Sequence, residues 1–534
     1  MHRLPHLAVL MLVTGIALAQ TTEPAVRPEE PVKDQTPQPR FDVLEYQVEG
    51  NSVLSDIAIE NAVRAFLGYD RGIADVEKAR EALEKAYQNA GYLTVLVDIP
   101  EQDVKGGIVR LVVIEASVQR LRVTGSRYYS LGRIKAQAQS LEPGTVPYFP
   151  DVQKELSGLN RYPDRKVTPV LKPGRTPGTV QVDLKVEDKF PLHGNVELND
   201  RYSGDTSRTR LGTMLRYDNL WQREHSLTLN AQVAPEDLDE SEVLSLSYLF
   251  RLPGSDDLMA LYAVRSRSNV AAVGDLSVIG NGDIYGARYI IPLRGRENFF
   301  HSLTLGIDRK DFLESVVLQG ADALNTPISY TPIVVEYTST RQSKNGIVEF
   351  GAGTTIGLRN VLGNNEQEFA DKRFKASASY LALRLHAGST RKLPGGFTLA
   401  GEIDSQLASG PLISSEQFGA GGQDGVRGYR ESEALGDDGL RASVELRRPL
   451  PSSWTGKNFD DFYALGFVEA AVLRIQDPLP QQTDEFNLLG AGVGLRAKLR
   501  KRFRLGLDIA HAFEAGAYTR KGERRAHFSA VYEF

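Results

Sequence analysis

Two hydrophobic patterns divide the chain. From about Phe190 to the last residue, apolar and polar side chains alternate in short runs, the period of a strand with two unlike faces. In HSLTLNAQV, Leu227, Leu229, Ala231 and Val233 share one face, while Ser226, Thr228, Asn230 and Gln232 share the other. VLSLSYLF sets Leu244, Leu246, Tyr248 and Phe250 opposite Ser245 and Ser247. RFRLGLDIAHAF sets Phe503, Leu505, Leu507 and Ile509 opposite Arg504, Gly506, Asp508 and Ala510. Polar loops such as PEDLDESE and LGNNEQEFADKR separate these runs. The pattern predicts an all-β region over 189–534. At about 20 to 22 residues per strand and loop, it holds about 16 antiparallel strands. The polar face carries Arg, Asp, Asn, Ser and many small residues, which suits a water-filled lumen better than the interior of a soluble sandwich. A closed barrel of that size is wide enough for an aqueous channel.

Upstream, helical spacing appears. LEYQVEGN reads as a strand ending in a glycine turn, and Ser55 as the N-cap of a helix carrying Ile59, Ala62, Val63, Phe66 and Leu67. A second helix fits Val76 to Ala90, with Val76, Ala79, Leu83, Ala86, Tyr87 and Ala90 on one face and Gly91 as its stop. YLTVLVDI and IVRLVVIEA follow as strands. The order strand, helix, helix, strand, strand over 41–116 then recurs over 117–188. RLRVTGSRYYS aligns with EYQVEGNSVLS, matching Val123 to Val48, Gly125 to Gly50 and Ser130 to Ser55. Ile134, Leu141, Val152, Leu156 and Leu159 supply the helical faces. The closing strand TVQVDLKVED sets Val180, Val182, Leu184 and Val186 opposite Gln181, Asp183, Lys185 and Glu187. A self-similar unit of about 75 residues is an internal repeat. Placed directly before a barrel-like region, the unit resembles a POTRA domain, a module of outer-membrane transporters and assembly factors. The fold class is therefore an all-β transmembrane barrel preceded by two small α+β POTRA-like domains.

The chain ends set the compartment. MHRLPHLAVLMLVTGIALAQ has a basic start at Arg3, an apolar run from Leu7 to Leu18, and small residues at Ala17 and Ala19. Residues 1–19 read as a secretory signal peptide, and 20–40 as a proline-rich linker. No later run of 18 apolar residues occurs, which excludes a helical membrane protein but not a barrel, whose strands are each only half apolar. The final strand, HFSAVYEF, puts Phe528, Ala530, Tyr532 and Phe534 on one face. An aromatic last residue on such a strand resembles the recognition signal of bacterial outer-membrane proteins. These features predict an outer-membrane location with the N-terminal domains in the periplasm, contact with outer-membrane lipid, and dependence on the barrel-assembly machinery during biogenesis. A net charge of −5 gives no support to a nucleic-acid partner. Cysteine is absent, which excludes disulfides and cysteine metal sites. The eight histidines are scattered without an H-E-x-x-H pattern. The glycine-rich GAGGQDG (419–425) and GAGVG (490–494) lack the strand-turn-helix context of a nucleotide site, and no Ser-His-Asp signature is present. No enzyme activity, cofactor or metal site is expected.

The most informative stretch is FGAGGQDGVRGYRESEALGDDGLRASVELRRPL, from Phe418 to Leu450. A glycine-rich run containing Gly421 and Gly422 leads into Val426-Arg427-Gly428-Tyr429. This resembles the signature loop of the POTRA-barrel superfamily, placed here near 418–440. The resemblance implies that the loop folds back into the lumen and that its arginine pairs with an acidic residue on the inner wall. The wall pattern of that superfamily is aromatic-x-Asp-x-Gly. Here the matching residues are Phe467-Val468-Glu469-Ala470-Ala471, with Glu469 for Asp and Ala471 for Gly. Glutamate still accepts a bidentate arginine, while Ala471 leaves the loop less room.

Two POTRA-like units, a barrel of this size and the Val-Arg-Gly-Tyr loop together resemble the two-partner secretion transporters, the haemolysin and filamentous-adhesin secretion family. The resemblance covers 41–534. It implies a functional monomer that exports one large secreted partner protein, docked on the POTRA units by strand addition, with Val180, Val182, Leu184 and Val186 as the candidate docking strand. Many members open with a plug helix and a long linker. The segment 20–40 is too short and too proline-rich for both, so no plug helix is expected. A barrel-assembly factor of the same superfamily is the alternative, although such factors usually carry three or more POTRA units. A passive porin leaves the repeat unexplained.

Overall fold

The computed structural model describes residues 39–534 except 205, 274–275, 314, 317–323, 452 and 454–457. The predicted signal peptide (1–19) and nearly all of the predicted linker (20–40) therefore lie outside the described residues. By its contacts the chain falls into two bodies, and the second takes in 123–137 and 159–167 together with 185–534.

In the first module, Glu45–Glu49 runs parallel to the central strand Ile108–Glu115, and Val95–Asp98 pairs antiparallel on its other side. Helices Asp56–Val63 and Ile73–Asn89 supply Val63, Val76, Leu83 and Tyr87 to one core with Val95, Val109, Leu111 and Val113. Ser55 caps the first helix through its side chain, donated to by the Ala58 amide. A short pairing of Arg40–Val43 with Gly68–Gly72 is additional to the predicted order. GYDRG carries no alternation, so periodicity gives no sign of it.

The second module contains the sheet order Ser117–Thr124, Thr179–Asp188, Arg165–Pro173. This corrects the expectation for Val180 to Val186. Their strand is central and offers no free edge. Val182, Leu184 and Val186 are core, and Val180 is half-buried. Their alternation is the mark of a face turned inward to the module.

The matched glycines of the repeat do the same physical task. Gly50 and Gly125 both have positive φ, +86° and +91°, and a Cβ on either would lie 2.3 or 2.4 Å from the carbonyl oxygen of Val113 or Val186. Only glycine tolerates both demands. Two residues beyond each carbonyl stands a carboxylate that ties down the following loop. Glu115 accepts from the Ser52 and Val53 amides. Asp188 accepts from the Arg127, Tyr128 and Tyr129 amides and the Ser126 hydroxyl. Burial alone would raise the Asp188 carboxyl, but these donors outweigh it and hold the group below its ordinary value of 3.8.

The remainder is a closed antiparallel barrel of sixteen strands. They are β1 Leu192–Asn199, β2 Arg210–Leu220, β3 His225–Val233, β4 Glu242–Arg251, β5 Leu258–Val273 and β6 Leu276–Pro292. Next come β7 Phe299–Phe312, β8 Ile328–Tyr330 continued by Ile333–Ser343, β9 Gly346–Gly357, β10 Tyr380–Lys392 and β11 Thr398–Ala408. The last are β12 Asp438–Pro449, β13 Phe459–Arg474, β14 Glu485–Leu499, β15 Phe503–Ala512 and β16 Arg524–Glu533. On β15, Leu505, Leu507 and Ile509 are 45–53% exposed, while Asp508 and Ala510 are 1% exposed. The apolar face points out and the polar face in, the reverse of a soluble sandwich and the arrangement that a lipid surround stabilises. β16 closes on β1 only over Ser529–Glu533 opposite Asn195–Asn199. Phe534 extends that seam. Its amide donates to the Gly194 carbonyl at 3.0 Å, its main-chain oxygen accepts from the Gly194 amide at 3.2 Å, and its ring covers Gly194.

Candidate functional site

An even strand number puts Leu192 and Glu533 on one rim. The β11–β12 loop, 409–437, therefore springs from the opposite rim, and it turns inward. Its ends are pinned first. Asp437, fully buried, accepts from Arg373 Nη2 at 2.6 Å, the Leu412 amide at 2.9 Å and the Gln476 amide at 2.7 Å. Glu416, also buried, accepts from Lys310 Nζ at 2.6 Å and the Tyr330 hydroxyl at 2.8 Å. Between the pins, Phe418–Ala420 pairs with Ala434–Gly436 as a small hairpin, and its tip carries the Val-Arg-Gly-Tyr segment.

Arg427 reaches the inner wall, where both it and Glu469 are buried. Its amide donates to Glu469 Oε2 at 2.7 Å; Nε and Nη2 donate to Oε1 at 2.9 and 2.6 Å. Glu469 thus binds the backbone and the guanidinium together. Nη2 also donates to Glu445 Oε2 at 2.9 Å, and Nη1 lies 3.5 Å from Asp508 Oδ2. The guanidinium carbon stands 3.4 Å from the Phe467 ring centroid. So Phe467 and Glu469, neighbours two apart on β13, hold one cation from its face and its edge. The surplus of carboxylates is balanced by Arg496 on Asp508 at 2.7 Å and Arg447 on Glu445 at 2.5 Å.

The flanking residues fix the backbone. Gly428, at φ +103°, donates its amide to His527 Nε2 at 3.1 Å, and His527 Nδ1 faces Asp200 Oδ2 at 3.1 Å. Tyr429 is fully buried. Its hydroxyl bridges β14 to the β15–β16 loop, meeting the carbonyls of Leu489 and Glu514 at 3.1 and 2.9 Å and their amides at 3.2 Å. Val426 packs with Tyr429, Ala471, Leu473 and Leu488. Gly421 and Gly422 take positive φ, +110° and +94°, at the turn into the tip.

Ala471 does not obstruct the loop; its methyl joins that apolar cluster. Room is made one strand over. A Cβ on Gly490 would lie 2.1 Å from the Arg427 carbonyl oxygen, one on Gly492 would lie 2.6 Å from the Phe467 ring, and one on Gly494 would lie 1.9 Å from Asp508 Oδ1. The alternate glycines of GAGVG are therefore a notch in the wall that admits the loop backbone, the stacking ring and a carboxylate. They lack the context of a nucleotide site, and their period of two on a strand is the signal that marks them.

The model of the POTRA domain, ShlB-type, matches residues 41–116, and that of the haemolysin secretion/activation protein ShlB/FhaC/HecB matches residues 178–497. The chain belongs to the ShlB/FhaC/HecB family. It is an outer-membrane two-partner secretion transporter, which exports a secreted partner protein. Relatives of this transporter include an outer membrane transporter CdiB of Escherichia coli, 22% identical over 84% of this chain and 79% of the relative. The CdiB of Dickeya dadantii is 21% identical over 76% and 72%. A heme/hemopexin transporter protein HuxB of Haemophilus influenzae is 20% identical over 74% and 69%. Among solved structures, CdiB from Escherichia coli superposes with a TM-score of 0.63 at 18% identity, covering 95% of this chain and 93% of the other. BamA from Haemophilus ducreyi lacking POTRA domains 1–3 gives 0.57 at 14% identity, covering 92% of this chain and 100% of the other. That likeness concerns the fold alone, and the family match sets this transporter among the secretion proteins.

The remaining residues singled out from sequence lie away from the loop tip. Phe528 and Tyr532 are on the lipid-facing side of β16, where Tyr532 stacks 4.8 Å from Phe503, and Phe534 ends the seam with β1. Glu433, not singled out, ties the loop to its neighbour by accepting from the Tyr518 and Thr519 amides, both at 2.7 Å.

Proposed function

We propose that this transporter divides export between three parts. The modules 41–116 and 117–188 receive the unfolded partner in the periplasm, the barrel 189–534 is the conduit, and the loop near 418–440 is a latch that must leave its notch before a chain can pass. The reading rests above all on Arg427, whose charge is held in the lumen by three acidic residues. Unpairing buried charges costs several kcal/mol, so the latch stays shut until cargo supplies competing interactions. Docking falls to an edge strand, since Thr179–Asp188 is central. Glu45–Glu49 is the better candidate, because among the described strands its outer edge is unpaired, beside a groove that mixes Tyr46, Val48, Ile59 and Leu67 with Asp56, Glu60 and Arg64. The protein works as a monomer in outer-membrane lipid, depends on the barrel-assembly machinery for insertion, and catalyses no reaction.

Deletion of 41–187 tests the division of labour. Export of the partner is expected to stop while the barrel still shifts in mobility on heating, as a folded barrel does. Normal export by the truncated barrel would overturn the docking role.

A further inference from the structure

The fold brings together three residues that are far apart in the chain and that no sequence pattern links. Asp164 lies in the turn before Arg165–Pro173, His193 on β1 and Asp218 on β2, all within the barrel body. His193 Nε2 is 2.7 Å from Asp164 Oδ2 and 3.4 Å from Asp218 Oδ2, and the three donor atoms all lie within 4.8 Å of one another. Tetrahedral zinc bonds of about 2.1 Å place their donors about 3.4 Å apart. The donors are thus already near ligand spacing. Both carboxylates are buried, and the imidazole is partly so. Their backbones are tied to the start of β1. The Lys189 amide donates to the Asp164 carbonyl at 2.8 Å, and the Asp218 amide to the Pro191 carbonyl at 2.9 Å. Ser226 Oγ donates to Asp218 Oδ1 at 2.7 Å and leaves Oδ2 turned toward the histidine. A donor set held in this way spends little conformational entropy on binding.

Tyr129 belongs to the same body as these three residues. The Tyr129 ring is buried, yet its hydroxyl has no hydrogen-bond partner. Burial pushes that phenol upward, and of the charges around it Asp164 acts on it most, with Asp218 also contributing. A buried hydroxyl normally finds a partner, and the cation seen at this ring is the Arg165 guanidinium, 4.8 Å over its face.

We propose that Asp164, His193 and Asp218 bind one zinc ion, or a similar borderline transition cation, and so fasten the second module's turn to the periplasmic rim of the barrel. The donor chemistry selects the ion class. Imidazole favours zinc and its neighbours over calcium or magnesium, which prefer oxygen alone. One competitor is present: Arg216 Nε donates to Asp218 Oδ2 at 2.9 Å. Its side chain is 42% exposed, so it can turn to solvent when an ion arrives.

The test uses the full-length protein in detergent, stripped with chelator and titrated calorimetrically with zinc chloride, with cobalt(II) as a visible-spectrum probe of tetrahedral nitrogen–oxygen coordination. Wild type is expected to take one ion per chain at least tenfold more tightly than His193→Ala, to show the tetrahedral cobalt bands, and to melt at a higher temperature with zinc. Asp164→Asn is expected to lose most of the same gain. Heat-shifted mobility on gels verifies that each variant barrel is folded. Equal zinc affinity in wild type and His193→Ala, or no binding by folded wild type, would overturn the site.

Discussion

The carbonyl oxygen of Arg427 fills the space in which a side chain on Gly490 would begin, 2.1 Å from where its Cβ would be. Loop and wall are therefore fitted backbone to backbone at the residue whose guanidinium is clamped by Glu469. The glycine and the salt bridge are two halves of one closure.

Gly490→Ala tests the steric half. The clash is with backbone, not with the tip of a flexible side chain, so the loop must lift or the strand must bend. Overpacking of this kind costs about 1–3 kcal/mol. Export is expected to change sharply at unchanged barrel abundance in the outer membrane, and the loop to become protease-sensitive. A variant with wild-type export and wild-type protease resistance would show that the contact is not needed to keep the loop seated.

Arg427→Ala and Glu469→Ala test the electrostatic half, and they should differ. Removing Arg427 strands Glu469 with the acidic pair around it, a loss of up to about 3–5 kcal/mol for a buried pair. Removing Glu469 leaves Arg427 with Glu445 and Asp508, so the expected loss is nearer about 1–3 kcal/mol, as for a hydrogen bond to a charged group. The double variant should resemble Arg427→Ala alone, because the two residues act as a unit. Export assays on the three variants, with conductance in planar bilayers, read this order. Additive defects would remove the pair from the mechanism.

Tyr429→Phe removes one oxygen and leaves the Leu489 and Glu514 amides without their hydroxyl acceptor, while the Leu489 carbonyl keeps the Phe513 amide. Each unsatisfied group costs about 1–3 kcal/mol. Faster hydrogen exchange is expected at the Glu514 and Leu489 amides, with no change at the β5–β6 pairing. Unchanged exchange at both amides would mean that water replaces the hydroxyl without loss.

Asp188 gives the second module a pH dependence. Its folded pKa is depressed, so the native state binds fewer protons than the unfolded chain as the group titrates. The stabilisation is fully present above the unfolded value of about 3.8 and is lost as pH falls through the folded value. Amides of Arg127, Tyr128 and Tyr129 should exchange faster below that range than above it, relative to their intrinsic rates. Asp188→Asn should show fast exchange at neutral pH and little further change on acidification.

Much of this molecule was legible because its elements report their surroundings through local period. Leu505, Leu507 and Ile509 alternate with Gly506, Asp508 and Ala510 because one side meets lipid and the other the lumen. Gly50 and Gly125 mark the repeat because the same carbonyl approach occurs twice. At Val180 to Val186 the same alternation marks the core face of a central strand. It was silent at Gly68–Gly72, whose strand is short and polar.

What the sequence by itself determined is what depends on period, composition and a motif: a lipid-facing barrel of about sixteen strands, two related α+β modules before it, an aromatic last strand, and a Val-Arg-Gly-Tyr loop whose family resemblance implied an acidic partner near Phe467. What only the tertiary structure decided is which distant groups share a space. Glu445, Asp508 and Gly490 come to Arg427 from three different strands, and Asp164, His193 and Asp218 meet where a turn lies against the barrel rim. The physical reason is that strand pairing and barrel closure set these distances through register and shear. Register is a relation between segments, and no single segment carries it.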